Sequence, residues 1–329
     1  NSYLTAGDVI LSNSEIIVSN DVNKLEADII NSYTDTGFVD LTSVTDVLEN
    51  IDALSKTDGI LIDQSNLRVT DITTLEDANF LNETTDGNVI LDIVTDTFAN
   101  VDEILQDLQI NDEKFDITSG SVTVTDAVSF ALVKETSETL IELNTTGTLT
   151  LNSIKDTFDN VIAVDSLTED FDQQITMSDA SVQVIDTVNL NQITELRDDT
   201  TGDITVDIIS DSKINLSIIN GFISEPGVAG DVILSNSAIT VIDDVSKEEA
   251  ESINTFNDVS GIVTLTSVTD ILNNVNELST TEGISITSSD LKVTDATTLS
   301  DVQKLDSYTT GEVTLDVVTD SFENVKAIY

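Results

Sequence analysis

The sequence predicts an α/β solenoid of about twelve coils, each with short parallel strands and one helix or helical turn. Three observations predict this fold. An aspartate that closes a "VTD"-like element recurs at intervals of 25–33 residues. Val, Ile and Thr alternate before that aspartate, which is typical of strands. After it, apolar residues follow at helical spacing, as at Leu272, Val275 and Leu278. Repetition at such a period is the sequence signature of stacked coils.

The recurring aspartate divides the chain into coils. Strands that pair in parallel need a crossover of about a dozen residues, and a coil of 25 residues supplies it. An all-β solenoid is the alternative fold. The aspartates are Asp21, Asp46, Asp71, Asp96, Asp126, Asp156, Asp186, Asp211, Asp244, Asp270, Asp295 and Asp320.

Each helix is predicted to begin and end at recognisable residues. The Thr and Asp of the "TD" pair are predicted to be N-caps, because their side-chain oxygens accept hydrogen bonds from the free N–H groups of a first helical turn. A glycine closes most coils, as at Gly59, Gly87 and Gly283. Such a glycine is predicted to stop the helix in the left-handed conformation.

Two types of coil alternate: a tight type, as in "VTLTSVTD", and a long type, as in "ISITSSDLKVTD", whose strand segments stand about four residues further apart. Four residues after the aspartate, the long coils have Leu25, Leu75, Phe130, Leu190 and Leu299, with Glu248 as the departure. This predicts an inward-facing position. The tight coils have asparagine there, so these amides are expected to be buried and bonded to loop backbone of their own coil. These candidate structural residues are Asn50, Asn100, Asn160, Asn215, Asn274 and Asn324.

A larger duplication is superimposed on the coils. The stretch "AGDVILSNSEIIV" from Ala6 returns as "AGDVILSNSAITV" from Ala229. We therefore expect one continuous array over residues 1–329, with duplicated halves at 6–109 and 229–329 and a more irregular middle at 110–228. Because the chain begins and ends in mid-pattern, we expect part of a longer array or a unit that joins head to tail.

The composition narrows the classes of function. The chain has 62 acidic and 12 basic residues, a net charge of −50, and only 4% aromatic residues, so the core is expected to be aliphatic. This charge disfavours nucleic acid and anionic membranes as partners and favours divalent cations. The lack of Cys and His excludes disulfides, thiolate or imidazole metal sites and Ser-His-Asp catalysis. No apolar run approaches the roughly 18 residues of a membrane helix, so no membrane insertion is expected. We do not expect an enzyme.

Acidic loops are candidate calcium sites. Ca²⁺ takes six to eight oxygen ligands, and these loops offer carboxylates, hydroxyls and carbonyls. The alternative interpretation is that they are solvated acidic loops, because no EF-hand spacing is present. The candidate ligands are Asp112, Asp116, Asp170, Asp172, Asp198, Asp199, Asp203, Asp243 and Asp244.

Two motifs carry a resemblance to a known class of repeats. "VTDTFANVDEIL" (Val94–Leu105) and "IKDTFDNVIAV" (Ile154–Val164) resemble the D-T-x-x-N-[VI] repeats of very large acidic surface and secreted proteins of bacteria, including marine cyanobacteria. "LKVTDATTLSDVQKL" (Leu291–Leu305) resembles the second repeat type of those arrays. The resemblance implies an extracellular, calcium-associated repeat region, often exported by type I secretion, that serves adhesion, a surface layer or appendages. It implies no catalytic residues.

We expect a non-enzymatic extracellular structural protein: a rigid acidic rod, surface-layer or filament segment of a bacterium, stabilised by cations, that self-associates head to tail or in a lattice. Two alternatives stay open. One is an adhesin module that recognises a surface or glycan through the irregular middle of the chain. The other is a phage or secreted fibre component.

Overall fold

A computed structural model describes residues 11, 13–110, 115–117, 120–143, 146–170, 175–222, 230–257 and 261–328. These residues form 17 strands of one parallel sheet and 12 helices. This confirms the α/β solenoid, and the helices rule out the all-β alternative. No helix among these residues is both long and apolar enough to cross a membrane.

Tight and long coils alternate as predicted, but they differ in their strands. A tight coil has one continuous strand and one helix, whereas most long coils have a two-residue strand, an eight-residue strand and a helix. The tight coils are β2 (Val39–Asp46) with α2 (Leu48–Ser55), β5 (Val89–Asp96) with α4 (Phe98–Ile110), β8 (Leu149–Asp156) with α6 (Phe158–Asp170), β11 (Ile204–Asp211) with α8 (Lys213–Gly221), β14 (Ile262–Asp270) with α10 (Leu272–Leu278), and β17 (Val313–Val318) with α12 (Phe322–Ile328).

The long coils have the remaining elements. They are β1 (Ile16–Val22) with α1 (Lys24–Asn31), β3 (Ile60–Leu61) and β4 (Asn66–Thr73) with α3 (Leu75–Thr84), β6 (Phe115–Asp116) and β7 (Ser121–Val128) with α5 (Phe130–Glu142), β9 (Ile175–Thr176) and β10 (Ser181–Val188) with α7 (Leu190–Asp199), β12 (Val232–Ile233) and β13 (Ala238–Val245) with α9 (Lys247–Asn254), and β15 (Ile284–Ser285) and β16 (Asp290–Thr297) with α11 (Leu299–Asp306).

The chain divides into two compact units, Asn1–Asn152 with Val164–Thr176, and Ser153–Ala163 with Met177–Tyr329. Within each unit, the first half of a tight strand pairs with the short strand of the next long coil, and its second half pairs with the start of the long strand. In the first unit, β2 pairs in this way with β3 and β4. In the second unit, β11 pairs in the same way with β12 and β13.

A bulge interrupts most of the long strands. The pairing register shifts between Val18 and Asp21 in β1, and between Val241 and Asp244 in β13. A bulge places extra residues on one strand of a pair, so the side chains beside it change direction. The bulge therefore decides which of two adjacent polar residues points toward the neighbouring helix.

The core is aliphatic, as the composition predicts. In β2, Val39, Leu41 and Val44 are fully buried, and Ile51 and Leu54 of α2 are buried with them. Burying such side chains contributes about 1.5–3 kcal/mol each. Because each coil presents the same positions to the core, the apolar side chains stack from coil to coil.

The glycines that close the coils fall into two groups. Gly59, Gly230 and Gly283 have φ of 84°, 54° and 81°, the left-handed conformation predicted for a glycine after a helix. Gly87 does not have a positive φ, and a Cβ there would collide with the carbonyl of Ser65, one turn of the solenoid earlier. The prediction is therefore wrong for Gly87, where the close approach of two coils requires glycine.

Candidate functional site

The aspartate of each tight coil joins two coils. Asp96 accepts hydrogen bonds at Oδ1 from the Thr97 amide (2.8 Å) and the Asn100 side chain (2.9 Å). Its Oδ2 accepts a third bond, 2.9 Å, from the amide of Leu75. Leu75 is the first residue of α3, in the preceding coil. One carboxylate thus orders its own coil and caps the preceding helix.

The same three bonds recur in both units. The carboxylates of Asp46, Asp211, Asp270 and Asp320 each accept from the next amide in the chain, from the asparagine four residues on and from the first amide of the preceding helix. Asp156 accepts from the Thr157 amide and the Asn160 side chain. The first helical amides capped by Asp46, Asp211, Asp270 and Asp320 are, in that order, those of Lys24, Leu190, Lys247 and Leu299.

The aspartates of the long coils cap the preceding helix too. Asp71 accepts from the amide of Leu48 at 2.9 Å, and Asp186 accepts from that of Phe158 at 2.8 Å. We give the name cap ladder to ten aspartates for which the structure describes this bond, five of them in tight coils and five in long coils. The remaining long-coil members are Asp126, Asp243 and Asp295, which accept from Phe98, Lys213 and Leu272.

The structure therefore corrects the predicted N-caps. The residue that caps its own helix with its side chain lies after the aspartate, as with Thr74 of α3 and Ser212 of α8. In α2 and α10 the N-cap is Val47 or Ile271, which makes no side-chain cap bond. The aspartate instead supplies a cap across the coil boundary.

The predicted register is wrong by one residue in two coils. Asp21 and Asp244 lie at the bulge, where each accepts a bond from a serine hydroxyl of the next coil. The cap-ladder residue of that second coil is Asp243. The residues equivalent to Leu75 are consequently Lys24 and Lys247, which begin their helices, rather than Leu25 and Glu248.

The asparagines differ from the expectation of burial. Asn50, Asn100, Asn160, Asn215 and Asn274 are half-buried, and Asn324 is exposed. Each donates its amide to the aspartate four residues earlier rather than to loop backbone. The prediction of an inward-facing position in the long coils is wrong as well: Leu75, Phe130, Leu190 and Leu299 are only half-buried, Leu25 is 70% exposed and Glu248 is exposed. Each asparagine holds the carboxylate in place beside the preceding helix.

Hydrogen bonding lowers the pKa of three of these carboxyls. Burial acts to raise the pKa of Asp46, but the bonds from Asn50 and from the Lys24 and Val47 amides outweigh it, and the pKa falls below its ordinary value. The pKa of Asp96 is lowered in the same way against burial. For Asp320, the first amide of α11 makes the largest contribution and the pKa is lowered too. Bonds to the ionised form favour it.

A second set of polar contacts between coils was not predicted. The buried Ser65 hydroxyl donates to the carbonyl of Leu41 in the preceding coil. Its own carbonyl accepts a bond of 2.6 Å from the hydroxyl of Thr85, which lies 20 residues later, directly after α3. Ser289 and Thr309 repeat this pattern with Leu265. The recurring "QSN" and "SSD" before a long strand, and the "TDG" and "TTG" before a tight strand, are the signal in the sequence.

The candidate calcium ligands are dispersed. Asp112 and Asp172 lie outside the described residues, as does the side chain of Asp170. Asp243 caps α8, and Asp244 accepts from Ser267. Asp116 lies in β6, Asp198 and Asp199 end α7, and Asp203 is exposed before β11. Across the part of the chain that the structure describes, no three acidic side chains come together as a metal-binding group.

One helix departs from the repeat in a way that forms a groove. At the second and sixth positions of the helix, the other tight coils have Glu, Asp, Asn or Ala, whereas α8 has Ile214 and Ile218. These side chains are 66% and 45% exposed. Between α8 and α9 they border a cavity of about 470 Å³, lined by Lys213, Ile214, Ser217, Ile218, Glu249, Ser252 and Ile253.

A charged pair forms part of the lining of this groove. Lys213 Nζ lies 2.9 Å from Glu249 Oε1 and donates to the Asp244 carbonyl at 3.1 Å. The bond to Glu249 raises the pKa of Lys213. Glu249 is also held by the amide of Ser246, the N-cap of α9, and this bond together with Lys213 lowers its pKa. The lining of the groove therefore combines isoleucine side chains with an ion pair.

The cap ladder and the groove are the features of the described residues on which a function can be based. Comparison of the chain with protein families, with curated proteins and with solved structures finds no match.

Proposed function

We propose that this chain is a non-enzymatic structural segment of a bacterial extracellular assembly. Its stacked coils would form a rigid part of that assembly. The observation that carries this proposal is that the recurring aspartates form hydrogen bonds between neighbouring coils. The ten carboxylates of the cap ladder accept hydrogen bonds from helical amides of the preceding coil. The recurring acidic residues therefore hold neighbouring coils together. The net charge of −50 also supports the proposal, because it keeps such a surface soluble in a salty medium and draws cations to it.

Immunogold labelling tests this proposal. Antibodies raised against residues 1–329 are applied to intact cells that make the protein, and electron microscopy locates the gold. We expect label on extracellular fibres or sheets without permeabilisation. Label that appears only after permeabilisation would contradict an extracellular role. A matched culture lacking the gene is the control.

The groove between α8 and α9 favours a second candidate function, adhesion. It lies partly in the irregular middle, and its exposed isoleucines interrupt the repeat. Its lining combines three isoleucines with two serines and the Lys213–Glu249 pair, so an amphipathic ligand suits it better than a glycan. Fluorescence of the neutral apolar dye Nile red is the probe. We expect the unmodified chain to bind the dye and the double variant Ile214→Ser with Ile218→Ser to lose this binding. The control variant Ile242→Ser, at another exposed isoleucine, is expected to bind as the unmodified chain does. Equal binding by all three proteins would reject the groove as the site.

A further inference from the structure

The helix α8 differs in charge from the other helices that the structure describes. Among the twelve described helices, α8 alone has no Asp or Glu, and its sequence is KINLSIING. The chain as a whole has 62 acidic residues. On the outside of α8, Ile214 and Ile218 therefore form an apolar strip on a strongly acidic molecule.

The helices on both sides of α8 place carboxylates beside this strip. α7, α8 and α9 pack side by side, and equivalent positions of stacked coils are neighbours. At the second helical position, Ile214 of α8 is followed by Glu248 of α9. At the sixth position, Ile218 is preceded by Glu195 of α7. Both glutamates are exposed, so one acidic side chain borders the strip on each side.

These two carboxylates are available to a cation from outside the chain. Glu249 and Glu251 of α9 are already paired, with Lys213 and Lys247 respectively. Among the contacts of the described residues, the carboxylates of Glu195 and Glu248 have neither an ion pair nor a hydrogen bond. A partner that carries positive charge can therefore pair with them without breaking a contact of this chain.

The arrangement matches the way in which grooves bind amphipathic helices. Ile214 and Ile218 are four residues apart and lie on one face of α8. Helices dock in such grooves through apolar residues at i, i+3, i+4 and i+7. The cavity of about 470 Å³ beside the isoleucines has room for apolar side chains. Because the borders are acidic, charge complementarity favours a helix whose polar residues are Lys or Arg.

We propose that the groove between α8 and α9 binds a basic amphipathic helix of a partner protein. Apolar side chains of the partner cover Ile214 and Ile218, and its Lys or Arg residues lie beside Glu195 and Glu248. A second copy of this chain suits the groove less well, because two chains of net charge −50 repel each other. This inference rests on the second candidate function, adhesion through the groove, and names the class of partner.

Fluorescence anisotropy of a labelled synthetic peptide, titrated with residues 1–329, tests this inference. The peptide consists of Leu and Lys with leucines at i, i+3, i+4 and i+7, and a length of about 14 residues exceeds the nine residues of α8. One control peptide has Glu in place of Lys, and another has the same composition in an order without an apolar face. The buffer contains about 0.15 M NaCl, where the Debye length of about 8 Å limits binding to the acidic surface at large. We expect the patterned basic peptide to bind more tightly than either control.

Substitution of the isoleucines locates the binding. Ile214→Ser with Ile218→Ser is expected to weaken binding of the basic peptide by about tenfold or more, because the apolar surface that the peptide covers is lost. Ile242→Ser, at an isoleucine exposed elsewhere, is expected to bind as the unmodified chain does. If the double serine variant loses helical circular dichroism, Ile214→Gln with Ile218→Gln replaces it, because Gln favours helices more than Ser does.

Substitution of the glutamates tests the charge of the partner. Glu195→Gln with Glu248→Gln is expected to weaken binding by about threefold, since each exposed pair contributes at most about 1 kcal/mol, where 1.4 kcal/mol is tenfold. The matched control is Glu49→Gln with Glu103→Gln, at exposed second and sixth positions of α2 and α4 in the other unit. It removes the same charge, so it separates pairing at the groove from attraction to the whole chain.

Several results would overturn the inference. They are equal binding of the patterned and scrambled basic peptides, equal binding of the acidic peptide, binding that survives the isoleucine substitutions, and equal effects of the two glutamate pairs. Self-association of the unmodified chain that the isoleucine substitutions abolish in sedimentation velocity would also overturn it, because a second copy would then occupy the groove. Nile red binding that depends on the isoleucines, with peptide binding that does not, would reject this partner and leave adhesion through the groove standing.

Discussion

Replacing Asp96 with alanine removes one rung of the cap ladder. The carboxylate accepts three N–H donors, from Leu75, Thr97 and Asn100. The Leu75 amide begins α3 and belongs to the preceding coil. The substitution therefore breaks one contact between coils and two contacts within a coil, while the apolar core stays intact.

The expected loss is about 2 kcal/mol of unfolding free energy. Losing a helix cap costs about 1 kcal/mol. The other two donors, Thr97 and Asn100, each lose a bond with a net value of about 0.5–1.5 kcal/mol. Asp96 is half-buried, so water reaches the freed donors and the loss lies near the lower end of the sum. Because contacts in a solenoid join neighbouring coils, the loss falls on the boundary between the coil of β4 and the coil of β5.

Urea unfolding followed by circular dichroism measures this loss as the shift in midpoint multiplied by the slope m. The matched control is Asp52→Ala. Asp52 is a partly exposed residue in the same unit whose carboxylate pairs with Lys56 on the surface. Such a pair contributes about 0–1 kcal/mol. A loss for Asp96→Ala no larger than that of the control would refute the account of the cap ladder.

Four further predictions concern the lowered pKa of Asp96, the buried Ser65, two glycines and the acidic surface. The difference in unfolding free energy between the unmodified chain and Asp96→Asn should be full at pH 7. It should shrink as the pH falls below about 4, the ordinary pKa of an aspartyl carboxyl, because the pKa of Asp96 is lowered in the folded state. Urea midpoints measured at a series of pH values check this. Ser65→Ala should cost about 1–3 kcal/mol by leaving the buried Leu41 carbonyl without its hydroxyl donor, and the measurement is again the urea midpoint. Gly59→Ala, at φ 84°, should cost about 1–3 kcal/mol, whereas Gly221→Ala, which has open space around it, should not destabilise the chain in thermal melts. Millimolar calcium should raise Tm above that in sodium chloride of equal ionic strength, because divalent cations neutralise the acidic surface more effectively; equal Tm values would count against cation stabilisation.

The sequence predicted the coils well because their signals are local. The alternation in β2 and the helical spacing in α10 each follow from side chains a few residues apart. The choice of aliphatic core residues follows from the same patterns. Even the distinction between tight and long coils was visible as a difference in spacing.

The partner of each aspartate was not predictable, because it depends on strand register. The Asp96 carboxylate meets Leu75 only because β5 pairs with β4 in one alignment. The bulge in β13 makes Asp243 rather than Asp244 the capping residue. A count along the sequence cannot place such a bulge, so the register of two coils was wrong by one.

The sequence could have predicted which residues of the groove are unusual, but not that they are exposed. Ile214 and Ile218 stand where the other tight coils have polar residues or alanine, and aligning the helices reveals this. Their exposure depends on how α9 packs beside α8, which is a property of the folded coils.

Hydrogen exchange of the Leu75 amide tests the cap across coils most directly. The measurement compares the unmodified chain with Asp96→Ala, using mass spectrometry of short peptides that contain the start of α3. Loss of the cap should speed exchange at Leu75 by about tenfold, which corresponds to about 1.4 kcal/mol, although Asp96 lies 21 residues away in the sequence. The Leu190 amide in the other unit, capped by Asp211, should be unchanged. Faster exchange at Thr97 with unchanged exchange at Leu75 would contradict the account, because it would confine the aspartate to its own coil.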